Sequence, residues 1–180
     1  MGPRGFRLLL NVDEDFANRG DAAMNDSFQF IPLQYEQFAG LFSRSDAELQ
    51  AISAQRMIVD RKPGTPCRVS LADAEVGETV LLLPFTHHDV SSPYRASGPI
   101  FIRSGARTAH PAPGDIPEMF RHRLLSVRAY DGAELMTGAE VVHGSELDAM
   151  IRRLFADRGI RYLHIHNAHP GCFNCRVNPA

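Results

Sequence analysis

Two hydrophobic periods alternate along this chain, and turn residues separate them. Thr79-Val-Leu-Leu-Leu-Pro-Phe85 is an apolar run of strand length, entered through Val76-Gly77-Glu78. Cys67 to Leu71 reads as a strand after the turn cluster Pro63-Gly64-Thr65-Pro66, and Pro99 to Arg103 as another. Leu124 to Tyr130 forms a strand that ends at Asp131-Gly132, a strong hairpin signal, and the returning strand runs to about His143. The helical period is clearest at Leu147, Met150, Ile151, Leu154 and Phe155, whose spacing makes one buried stripe. Ser145 to Asp148 opens that helix and Gly159 ends it. Ser45-Asp-Ala-Glu48 has capping-box spacing and opens a helix to about Arg56. Asp115-Ile-Pro-Glu118 starts a further short helix, and a last strand begins near Arg161. These elements predict an α+β domain: a largely antiparallel sheet of about six or seven strands with about three helices.

Residues 1–23 show no sustained period and are expected to be a flexible extension or a leader. Residues 24–180 then make a single globular domain, long enough to bury a core without staples. Basic and acidic residues nearly cancel, 19 against 21, so no whole-molecule field draws the chain to nucleic acid or an anionic membrane. No apolar run approaches a membrane span. The three cysteines lack the framework of a secreted mini-protein, so reduced thiols and a cytoplasmic location are expected. Lys62 is the only lysine, and an Arg-rich chain is suited to bidentate contacts with carboxylate or phosphate.

Chemistry concentrates in two places. The terminal segment from Arg161 holds three of the eight histidines and two of the three cysteines. Cys172 and Cys175 have the spacing of a zinc chelate, but residues three apart on a strand face opposite ways, and no second cysteine pair exists. No metal and no cofactor is therefore expected. A turn over residues 169–172 instead places His166 opposite Cys175, with His164 on the same face, the minimum for a thiol activated by imidazole. On that reading His166, Cys172 and Cys175 are the candidate catalytic residues. The competing account makes Tyr162, His164 and His166 a solvated strand face, and the cysteines small hydrophobes.

The second place is a long loop from His87 to Gly98, which leads into the strand ending at Arg103. It carries hydroxyls, histidines and Arg95, and Arg68 joins it if the neighbouring strands pair. Arg68, Tyr94, Arg95, Arg103 and His164 are the candidate ligand-binding residues, for an anionic group.

Pro66-Cys67-Arg68-Val69, Ser92 to Arg103, His164 to Ala168 and Gly171-Cys172-Phe173 together resemble the bacterial family known as domain of unknown function 1203. The resemblance runs from about Phe28 onward and implies one compact bacterial domain, without supplying an activity. The expected function is a small-molecule binding domain with a polar Arg/His pocket, whose partner is a small anionic ligand. An enzyme using a Cys–His pair and an interaction protein without a pocket are the alternatives. The sequence leaves the oligomeric state open.

Overall fold

Antiparallel pairing organises the fold. A computed structural model describes residues 27–180, so the extension expected over 1–23 lies outside the described residues. The strands are β1 (Phe28–Ile31), β2 (Gln55–Ile58), β3 (Thr79–His88), β4 (Ala96–Arg103), β5 (Leu124–Tyr130), β6 (Met136–His143), β7 (Tyr162–Asn167) and β8 (Phe173–Pro179). The helices are α1 (Asp46–Ala51), α2 (Glu118–Arg121) and α3 (Leu147–Phe155), with short 3-10 turns between. Five strands form one sheet in the order β1-β8-β7-β5-β6, and β2-β3-β4 form a second. All strand pairs are antiparallel, as expected for the α+β class.

Alternation along β7 assigns its two faces. Leu163 and Ile165 join Cys175 and Val177 of β8 and Leu125, Val127 and Ala129 of β5 in one apolar layer. The α3 stripe of Leu147, Ile151 and Leu154 covers that layer together with Met119 and Phe120 of α2. Gly144 lets the β6–α3 corner close on α2, because a Cβ there would meet the Phe120 carbonyl oxygen at 1.8 Å. A second core lies on the small sheet, where Leu81, Leu83, Ile100 and Ile102 pack with Phe38, Leu49, Cys67 and Val69.

Several elements differ from the sequence expectation, each for a local reason. The capping box is present, with the Ser45 amide donating to Glu48 Oε2 at 2.7 Å and the Glu48 amide donating to Ser45 Oγ at 3.3 Å. The helix it opens stops at Ala51, well short of Arg56, because Ser53 turns to φ 58 and the chain enters β2. Residues 67–71 are not a ladder strand. Only Cys67 among them forms a bridge, an isolated one to Phe101, while Pro66 and Asp73 pair on either side of the segment and Leu71 has φ 48. The Asp131-Gly132 hairpin has a longer loop than a tight turn, and Asp131 Oδ1 accepts the amides of Ala133 and Leu135 inside it. β3 runs on to His88, so the expected loop from His87 shrinks to 89–95.

Candidate metal centre and its pocket

The extension of β3 is decisive for the site. It carries His87 and His88 over the face of the large sheet that α3 does not cover. The β7 residues of that face, Tyr162, His164 and His166, are buried, so the expected solvated face does not exist. His87 stacks flat on Phe173, with ring centroids 4.8 Å apart and planes 2° apart, and meets His166 edge-on at 5.2 Å.

Three imidazoles converge here. One ligand atom each from His87, His164 and His166 lie within 4.8 Å of one another, and no other such group of His, Cys, Asp or Glu occurs among the described residues. Nδ1 of His87, Nδ1 of His164 and Nε2 of His166 are buried without a protein hydrogen-bond partner. Unpartnered buried polar atoms are uncommon, and three together need a cause. His166 Nδ1 lies 2.9 Å from the Gly171 carbonyl, which can only accept. The proton therefore sits on Nδ1, and Nε2 presents a lone pair to the cluster. A backbone carbonyl orienting the outer N–H is the arrangement that metal-ligating histidines usually have.

Burial sets the charge state. Loss of solvent is the largest cause lowering all three values, to about 4 for His87, about 2 for His164 and about 3 for His166. The arginines act in the same direction, Arg128 on His87 and on His166 and Arg176 on His164. The rings are thus neutral at physiological pH, the form that coordinates metal.

His88 has a different task. Its Nδ1 faces the Tyr94 carbonyl at 2.7 Å and so carries the proton, leaving Nε2 to accept the Tyr162 hydroxyl at 2.8 Å. Both nitrogens are used, and the ring fixes Tyr162 beside His164. A cavity of about 330 Å³ opens above the cluster, lined among others by His87, His164, Tyr162, Phe173, Glu134 and Arg176. A slightly larger cavity, about 380 Å³ with Ser70, His110 and Arg121 in its wall, has no such convergence.

The residues singled out by sequence distribute unevenly around this centre. The β7–β8 register pairs Ile165 with Cys175 and His166 with Phe173, and the irregularity between them leaves Asn174 as the extra residue. The expected pairing of His166 with Cys175 is corrected accordingly. Cys175 turns into the core, where its S–H reaches the Ile31 carbonyl at 3.2 Å and burial pushes the thiol well above its ordinary value. Cys172 stays on the turn, half-buried, 3.8 Å from the Pro170 carbonyl.

The arginines are mostly committed elsewhere. Arg103 grips Glu78 with two bonds of 2.7 and 2.6 Å, and Arg95 pairs with Asp89 at 2.7 Å on the surface. Arg68 is 1 % exposed and donates to the carbonyls of Phe173 and Pro66. Burial lowers its guanidinium to about 10, leaving it charged, and it braces the start of β8. Tyr94 contributes its backbone carbonyl to His88.

The sequence reading counts His87 and His88 among the loop's polar groups without making them metal ligands, because adjacent residues diverge on a strand, and it does not single out Arg176. The signal for the first two was the adjacent His-His at the end of an apolar run, which reads as loop only if the strand is stopped at Phe85.

The molecule so described is an α+β domain of two antiparallel sheets, with a buried histidine cluster where they meet. Residues 64–178 match the family described as protein of unknown function (DUF1203), and the chain belongs to that family. No curated protein and no solved structure matches it.

Proposed function

We propose that this domain binds a divalent transition-metal ion through His87, His164 and His166, and presents it to a small molecule in the cavity above. The observation that carries this reading is the convergence of one ring nitrogen from each of three histidines within 4.8 Å, each ring also holding a buried nitrogen without a hydrogen-bond partner. Tetrahedral zinc with bonds of about 2.1 Å spaces its nitrogens roughly 3.4 Å apart, so modest inward rotation of the rings completes the set. Three protein ligands leave a position open, which is the pattern of catalytic zinc sites and not of closed structural ones. An all-imidazole set also suits copper, iron or nickel, so the ligand chemistry selects a class of ion. A metal bound here would polarise an oxygen of the small molecule or of water.

The proposal replaces the metal-free Arg/His pocket expected from sequence and keeps its small-molecule ligand. The three free thiols suit the cytoplasmic setting expected there. Isothermal titration of dialysed protein with zinc, checked by elemental analysis, tests the reading. One ion per chain is expected, with affinity at least 100-fold weaker in His164→Ala and in His166→Ala, both verified as folded by circular dichroism. Wild-type protein that takes up no zinc, copper, iron or nickel would sink it.

A further inference from the structure

The strand register places a charged row across the histidine face. On β5, β7 and β8, Arg128, His164 and Arg176 are direct cross-strand neighbours, so the three side chains leave the sheet on one side. Arg176 lies on the cavity wall. Its guanidinium is 3.9 Å from the Tyr162 ring centroid and its Nε donates to Asn178 Oδ1 at 2.8 Å. Those two contacts fix the plane of the fork, while its terminal nitrogens have no protein partner among the described residues. Arg128 stands on the other side of His164, next to the Tyr130 hydroxyl, and its charge is felt at both His87 and His166.

Neither arginine has a carboxylate within ion-pair distance among the described residues. That sets them apart from Arg95, Arg103 and Arg123, which are paired with Asp89, Glu78 and Asp73. The acidic groups at the cavity are Asp89, already held by Arg95, and Glu134. With a divalent ion on the histidines, positive charge exceeds negative at this wall.

We infer that the small molecule carries an oxyanion, a carboxylate or a phosphoryl group, with one oxygen on the metal and another on the Arg176 fork. Arg128 adds attraction from the far side of His164. A guanidinium with its plane already fixed and two donors unused is suited to such a group, because it loses little freedom on binding. The cavity, at about 330 Å³, limits the ligand to a small metabolite. This inference rests on the metal reading above.

Full-length protein loaded with cobalt(II) separates the two, since the visible bands report both metal uptake and a new oxygen ligand. Titration with malonate and, separately, with inorganic phosphate is expected to shift the bands saturably, and the tighter probe identifies carboxylate or phosphoryl as the natural group. Arg176→Met should weaken that affinity at least tenfold with cobalt affinity unchanged, Arg176→Lys should restore part of it, and Arg128→Met should weaken it two- to fivefold. Arg95→Met, whose charge is already matched by Asp89, should change it less than twofold. Cobalt bound normally but bands unmoved by either anion, or moved equally in Arg176→Met, would overturn the oxyanion assignment and leave the metal site standing. Failure of the wild-type chain to take up cobalt and also zinc, copper, iron and nickel would overturn both.

Discussion

Cys175 and His166 show how much one position decides. A strand residue faces one side or the other, so a single extra residue at Asn174 sends Cys175 to the α3 core and leaves His166 facing β3. Thiol chemistry should follow this partition. With iodoacetamide at neutral pH, Cys172 is expected to be alkylated in the native protein, whereas Cys67 and Cys175, both buried, should react only on unfolding. Mass spectrometry of the labelled peptides checks this, and fast native labelling of Cys175 would contradict the register. The presence of histidine and cysteine at the terminal hairpin was legible from the sequence, as was the shared face of His164 and His166. Their partner was not, because His87 comes from another sheet and no local pattern reports a contact of that range. Arg176 was hidden for the same reason: its value comes from lacking a carboxylate, which only the full set of ion pairs reveals.

At the scale of elements, periodicity and punctuation held where the chain obeys one period. The α3 stripe, the β5–β6 hairpin and the Ser45 capping box all formed as the pattern implied. Misreadings fell where tertiary packing overrides local preference. Residues 67–71 carry strand-like residues but wrap past Phe101, and β3 continues beyond Phe85 because β4 offers partners as far as Ala96. Gly144 was equally silent in sequence, since a glycine before a helix is ordinary. Its real constraint is the Phe120 carbonyl, so Gly144→Ala must push α2 away from the sheet. A loss of more than about 3 kcal/mol is expected, the scale of severe packing strain. Urea denaturation measures it, and a loss under about 1 kcal/mol would show that the corner yields without cost.

For the molecule as a whole, the small sheet depends on ion pairs near its edge as well as on its core. The bidentate bond from Arg103 is the main cause holding the Glu78 carboxyl below its ordinary value of 4.5. The folded value is the lower one, so this stabilisation is complete above the unfolded value and disappears as pH falls through the folded one. The pair is partly exposed, which limits its worth to about 1 kcal/mol. Arg103→Met should therefore flatten the dependence of urea stability on pH as pH falls below the ordinary carboxyl value of 4.5, and an unchanged slope would count against the pair. A different consequence follows from β1 and β8 being neighbours. The bond from Cys175 to Ile31 spans 144 residues of sequence. At ~5–20 residues per second, β1 leaves the ribosome roughly 7–30 s before its partner strand exists. Phe28 and Phe30, among the most deeply buried rings of the finished protein, stay without that strand for the whole interval. During synthesis the first strand of the large sheet thus waits for the last one to be made before it gains its only pairing partner among the described strands.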